Sequence, residues 1–277
     1  MADTKSITFV IAVNNKHVFE SNFLASPCLS GAHPHQIIVQ TGFSSASTAY
    51  NDAIDRSAND LIVFAHQDMI FPEFWLLDLQ RALDSLQQTD PQWGVLGCYG
   101  ETLEDNGRGY IYSGGLGIMG KPTDRPVTVQ TLDEIVLILR KSSGLRFDES
   151  LPHFHFYGTD ICMAAAARGW KSYAISAFCI HNTQQNLVLP KEFYESYRHV
   201  KHRWKNFLPI RTTCVTMTKF DSHMYRKRIH EVYLRFIRRK EIGAFRAKDG
   251  RALLAELGDT FQGGVATASQ NGGYTPR

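Results

Sequence analysis

The sequence predicts an α/β protein whose mostly parallel mixed sheet is flanked by helices and followed by a basic helical C-terminal extension. Short runs rich in β-branched residues recur at 7–13 (ITFVIAV), 36–40 (QIIVQ), 61–65 (LIVFA) and 93–98 (WGVLGC). Helix-like stretches lie between them, the spacing expected of parallel strands joined by crossovers. Charge then divides the chain: residues 1–190 hold 12 Lys+Arg against 19 Asp+Glu, and residues 191–277 hold 18 against 8. The expected units are an α/β domain over 1–190, a basic helical extension over 191–257 and a flexible Gly/Ser/Ala/Thr-rich tail over 258–277.

Taken in order, the first strand ends at Asn14-Asn15, and Ala46 to Ser57 has helical periodicity. The segment DLIVFAHQDMIFP, residues 60–72, is an apolar run that stops at a histidine and a carboxylate. A run of that length suits a strand covered on both faces, and ligands of open α/β sheets collect beyond the carboxyl ends of such strands. Asp68 is therefore placed at a ligand. The competing reading has Asp68 capping a helix that starts near Glu73, with His66 simply packed. Glu73 to Gln88 reads as that helix, with Phe74, Leu77, Ala82 and Leu86 sharing one face.

After residue 98 the pieces YIYSGGLGIMG, VTVQ and EIVLILR are strand-like but joined by Gly and Pro, which predicts a mixed sheet or an inserted hairpin region. GLGIMG at 115–120 matches a dinucleotide-binding string, yet Pro122 and Pro126 follow where that fingerprint needs a helix, so it reads as turn chemistry. Residues 158–169 read as a short helix with Thr159 or Asp160 at its start and Gly169 as its stop. The strand KSYAISAF then runs into Cys179, Ile180 and His181.

Composition narrows the class. Apolar residues make up 43% of the chain, ample for a core, and no apolar run reaches the roughly 20 residues that span a bilayer. The start MADTKSITFV lacks a signal-peptide pattern, so a cytoplasmic location is expected. Five widely spaced cysteines without a C-x-x-C pair argue for free thiols rather than a disulfide framework or structural zinc.

Taken together, Asn14-Asn15, HQD at 66–68, FDESL at 147–151, YGTD at 157–160, ARGWK at 167–171 and His181 resemble the GT-A-type, family-two glycosyltransferases. FSSASTAYNDAI followed by VFAHQD resembles, more narrowly, a subgroup named for a protein of streptomycin biosynthesis. The resemblance covers roughly residues 6–185. It implies an inverting transfer of a sugar from a nucleoside-diphosphate donor to a hydroxyl acceptor, assisted by Mn²⁺ or Mg²⁺. By motif, Asp68 matches the last Asp of the D-x-D metal motif, His66 stands in place of its first Asp, and His181 matches the histidine that completes the metal site. Asp160 matches the catalytic base. Val13, Asn15, Thr41, Asn51 and Gln67 are the implied donor-binding residues. Asp148 and Glu149 are expected to fix the loop before the base, and His153 and His155 are taken as strand or loop residues.

The sequence also departs from that pattern. Gln40-Thr41-Gly42 occupies the place where many members carry an Asp that reads the nucleotide base. His66 for Asp lowers the negative charge of the metal site. HRW at 202–204 is similar to the Q-x-x-R-W of processive synthases, but Val200 starts the frame and membrane-spanning helices are not expected. Two other classes stay open: a non-catalytic nucleotide-sugar or glycan-binding module, and a sugar-phosphate nucleotidyltransferase, against which IAVNNKHVFE offers no glycine. No nucleic-acid partner is expected, because the basic and aromatic residues match no recognised module.

Residues 226–251 contain ten Lys+Arg against Glu231, Glu241 and Asp249. Tyr225, Ile229, Val232, Tyr233, Phe236 and Ile237 fall on one helical face. The expectation is that this stripe packs on the catalytic domain while its charges are solvated. The alternative is peripheral contact with acidic lipid, or with a partner. Oligomeric state is not legible.

Overall fold

The computed structural model describes residues 6–31, 34–104 and 107–257; the tail expected over 258–277 lies outside them. β1 (Ile7–Ala12) leads through α1 (Lys16–Ser21) to β2 (Gln36–Gln40), and α2 (Ala46–Arg56) to β3 (Leu61–His66). β4 (Met69–Ile70), α3 (Trp75–Thr89) and β5 (Val95–Gly97) follow. Next come β6 (Tyr99–Glu101), β7 (Arg108–Ser113), β8 (Gly117–Lys121), β9 (Val127–Val129), β10 (Thr131–Leu132) and β11 (Val136–Arg140). α4 (Tyr157–Ala167), β12 (Ser172–Ala174), β13 (Cys179–His181) and α5 (Lys191–Arg203) precede the small hairpin β14 (Ile210–Arg211) and β15 (Thr216–Met217). The chain closes with α6 (Ser222–Val232), a π-helical turn (Tyr233–Arg238) and α7 (Gly250–Leu257).

The large sheet has the order β2-β1-β3-β11-β5-β12-β9. β1 is parallel to β2 and β3, and β5 to β12, whereas β11 runs antiparallel to both of its neighbours. A second sheet, β10-β6-β7-β13-β4 with β8 on β7, stands at the edge where β3 ends. The mixed topology expected after residue 98 is thus what forms.

Alternation explains why the apolar runs are unbroken. Phe9, Ile11, Leu61, Val63 and Ala65 enter the core under α1 and α3, while Val10, Ile62 and Phe64 enter the core under α2 and α4. A strand buried on both faces needs apolar residues at every position. The α3 face differs from its expected register: Trp75, Leu79, Ala82 and Leu86 are buried, whereas Phe74 and Leu77 are 41% and 50% exposed. Trp75 shifts the face because its indole fills the space beside Phe71 and Phe9.

The segment after 190 joins the same core at first. Phe193, Tyr197, Val200, Trp204 and Ile210 pack with Val10 and Phe64. α7 then covers Ile70, Phe178 and Ile180 with Leu253, Leu254 and Leu257. The stripe on α6 does not follow this pattern. Tyr225, Ile229, Val232 and Phe236 are 57–71% exposed, so the expected packing of that face on the domain is corrected. The opposite face does the packing instead, through Met224 and Glu231. All five cysteines are free, as expected.

Candidate active site

Because Ile62 and Phe64 face the α2/α4 core, His66 is the next residue on that side of β3. Its Nε2 lies 3.0 Å from the Tyr157 hydroxyl, which donates to the Glu134 carbonyl at 3.0 Å. The next turn brings Asp68 beside β13: the Asn182 amide donates to the Asp68 carbonyl at 2.9 Å, and His181 pairs with Met69. Asp68 is 6% exposed. One of its oxygens is 3.4 Å from His181 Nε2, and the other accepts from Arg246 Nη2 at 2.7 Å. The His66 and His181 rings meet edge to face at 5.4 Å. α3 starts after Phe74 without a side-chain cap, so Asp68 is not a helix cap.

The ligand atoms of His66, Asp68 and His181 all lie within 4.8 Å of one another. Ligand bonds of about 2.1–2.2 Å put two atoms on one ion at most about 4.4 Å apart, so a small closure lets the three share a divalent cation. The residues fit. A mixed imidazole and carboxylate set suits Mn²⁺ better than Mg²⁺.

The states of His66 and Asp68 agree with that use, while a cation would have to displace the proton that Asp68 favours on His181. Burial, helped by the charge of His181, lowers His66 to about 4, which keeps its imidazole neutral near pH 7. Burial alone would raise Asp68, but the charge and hydrogen bond of His181, with His66 and Arg246, hold it well below the usual carboxylate range. His181 moves the other way: burial opposes its charge, yet Asp68 raises it overall.

Two cavities meet at this cluster. One, of about 270 Å³, lies beyond the ends of β1, β2 and β3 and is bordered by Val13, Gln40, Tyr50, Gln67 and Asp68. The other, of about 350 Å³, is bordered by Asp133, Glu134, His155, Thr159 and His181. His66 lines both. Residues 133–135 reach the cluster because β11 is antiparallel to β3, so its beginning adjoins the end of β3 and the His66 amide donates to the Ile135 carbonyl at 3.1 Å. Two non-glycine residues in the left-handed region, His153 (φ 66°) and Phe156 (φ 64°), flank His155 and start α4.

The implied donor residues separate into two groups. Val13 and Gln67 border the first cavity. Asn15 instead caps α1, accepting from the Val18 amide at 3.2 Å, and Gln67 braces it by accepting from the Asn14 and Asn15 amides. Thr41 is exposed beside the cavity-lining Gln40 and Gly42. Asn51 is 7% exposed and spends both ends of its amide on Phe147 and Glu149, fastening α2 to the loop before α4. Gln40 is buried, with its amide donating to Asp52 and the Ala49 carbonyl.

Asp160 sits behind the start of α4, 1% exposed. Trp204 Nε1 donates to one oxygen at 2.7 Å and Arg203 to the other at 3.3 Å. Burial raises its pKa against the pull of Arg203. Asp148 joins Arg203 from the far side and also bonds Ser150 and His199, which matches its expected role in fixing the loop.

Two residues at the cluster had no local signal, Glu134 and Arg246, and Tyr157 stood in the YGTD motif without a role assigned to it. Glu134 Oε1 accepts from the Gly158 amide at 3.2 Å, and burial, then the charge of Asp133, push its pKa well above the usual range. Arg246 arrives on a return strap in which the Gln185 amide donates to the Ala244 carbonyl, the Gly243 amide donates to the Gln185 carbonyl, and Asn182 pins Ala247 from both sides.

Comparison with known proteins places this fold. GalNAc-T7 in complex with UDP, GalNAc and Mn²⁺ shares the fold at a TM-score of 0.52 with 7% identity, covering 94% of this chain and 57% of its own. S. aureus TarS 1–349 aligns at a TM-score of 0.46 with 12% identity, over 84% of this chain and 73% of its own. A Fuscovulum blasticum protein described as ATP synthase subunits region ORF 6 is 24% identical over 173 residues, 60% of this chain and 69% of its own. The fold is of the GT-A type. The model of the glycosyltransferase-like family matches residues 8–203, so the chain belongs to that family.

Proposed function

We propose that this protein transfers a sugar from a nucleoside-diphosphate donor to a hydroxyl-bearing acceptor, with inversion at the anomeric carbon. The observation that carries the reading is the position of His66, Asp68 and His181 at the seam of two cavities, one for each substrate. The first cavity lies beyond the carboxyl ends of parallel strands, where nucleotides bind in open α/β sheets. The second brings carboxylates and imidazoles to the other side of the same seam.

In the reaction the acceptor oxygen bonds to the anomeric carbon, the bond from that carbon to the diphosphate breaks, and its electron pair leaves on the diphosphate. A divalent cation held by His66, Asp68 and His181 would neutralise the charge that develops there. Arg246 contributes positive charge at the same carboxylate from the protein itself, which favours, as a second reading, transfer that persists without metal. The acceptor proton goes to a carboxylate. Glu134 borders the cavity already; Asp160 takes that role by exchanging its bonds to Trp204 and Arg203 for the acceptor. The narrower kinship with the streptomycin-named subgroup belongs to this proposal and is carried by FSSASTAYNDAI and VFAHQD.

A turnover assay over a donor panel, with Mn²⁺, Mg²⁺ or chelator, tests the reading. Asp68→Ala should lower turnover about 10²- to 10³-fold, the scale for losing electrostatic stabilisation of a leaving group. Loss of the true base should cost about 10²- to 10⁴-fold, so Glu134→Gln and Asp160→Asn separate the two candidates. Full turnover in Asp68→Ala, or a product of retained anomeric configuration, overturns the proposal.

A further inference from the structure

We propose that the outer face of the helical segment 222–238 is a docking surface for an acidic lipid bilayer, a property independent of the transfer chemistry. The inner face shows which side is outward. Met224 is buried; Glu231, 7% exposed, accepts from the Tyr194 hydroxyl and from the Leu189 amide at 3.3 Å. The Arg228 guanidinium lies over the Tyr194 ring at 4.7 Å. With that side fixed to the protein, Tyr225, Ile229, Val232 and Phe236 follow one another at helical spacing on the opposite side, 68%, 71%, 57% and 70% exposed. Among the described residues nothing covers them.

The charges identify the occupant. Within 222–238 the one acidic residue is Glu231, which is spent on the inner face; Glu241, just beyond the segment, pairs with Arg235 at 3.4 Å and leaves the other cations of this face unneutralised by it. Arg226, Arg235 and Arg238 are exposed around the stripe, and Arg239 and Lys240 follow directly. A second copy of the chain would bring like charges together across the contact. A convex helix surface with an apolar stripe bordered by cations suits a bilayer, where the stripe enters the acyl boundary and the cations meet lipid phosphates. α6 is not long or apolar enough to cross a membrane, so the contact lies in the plane of the interface.

The test is flotation of the full chain with vesicles of phosphatidylcholine containing about one-third phosphatidylglycerol, against pure phosphatidylcholine. The protein should float with the acidic vesicles, weaken as salt rises, and stay behind with the neutral ones. Ile229→Glu combined with Phe236→Glu should weaken acidic-vesicle binding at least about tenfold. Ile229→Ala with Phe236→Ala, which truncates without adding charge, should give a smaller loss in the same direction, and both variants should keep the wild-type melting midpoint. Absence of flotation in the wild type, or equal flotation by the double glutamate variant, overturns the proposal. So does a concentration-dependent dimer in light scattering that this variant dissolves, since the stripe then belongs to a second copy.

Discussion

Asp68 and Asp160 are both nearly sealed from solvent, and each holds an arginine from much later in the chain, yet they use the remaining oxygen differently. Asp68 gives one oxygen to Arg246 and turns the other to His181 at the border of a cavity. Asp160 gives one to Arg203 and the other to the Trp204 indole. An imidazole can exchange that contact for a ligand, whereas a buried indole N–H left without an acceptor carries the full desolvation penalty. The reactivity of a buried acid is set by the partner of its second oxygen as much as by its place in a motif.

The sharpest way to break this comparison is to remove the sealed acid. Asp160→Ala strands the buried Trp204 indole N–H, while Arg203 keeps Asp148, and should cost about 1–3 kcal/mol of stability, read from the denaturant midpoint. A variant as stable as wild type would erase the contrast. At the other carboxylate, Arg246→Ala removes a cation that competes for Asp68, so Mn²⁺ binding followed by paramagnetic resonance should tighten about tenfold. Unchanged affinity would mean that guanidinium and metal do not share the site. The smallest effect concerns Asp148, which supports Arg203 from behind. Burial would raise this acid, but its bonds to Ser150 and His199, with Arg203, lower it to about 2. A depressed carboxylate stabilises the fold above its unfolded pKa, and that contribution is lost as pH falls from about 4 through 2. Asp148→Asn should flatten acid unfolding in that window alone; an identical acid profile in both proteins would remove Asp148 from the account.

The sheet was legible because its signal is local. ITFVIAV, QIIVQ and LIVFA each announce a strand, and the polar residues at the end of LIVFA mark the ligand edge. The union of His66, Asp68 and His181 was legible too, since two of them end the same strand and the third ends another. Arg246 was not, because nothing within a few residues distinguishes it from the other cations of 226–251. Glu134 was hidden by strand direction: its nearness to His66 depends on β11 running antiparallel, which neighbouring residues do not encode. The Asp160 environment was missed because Trp204 and Arg203 lie over 40 positions away, although HRW had already stood out. The outward stripe of α6 was read correctly as a face and assigned to the wrong side, since Glu231, a lone acid among cations, is what the protein interior captures.

The strap from 241 to 247 has a practical consequence for anyone cutting the gene. The family match stops at residue 203, but Arg246 completes the charge around Asp68, and Leu253, Leu254 and Leu257 roof the strands that carry His181. A fragment trimmed at that boundary would present Asp68 without its guanidinium and lay Ile70, Phe178 and Ile180 open to water. Its metal affinity and solubility would describe the fragment rather than the 277-residue chain.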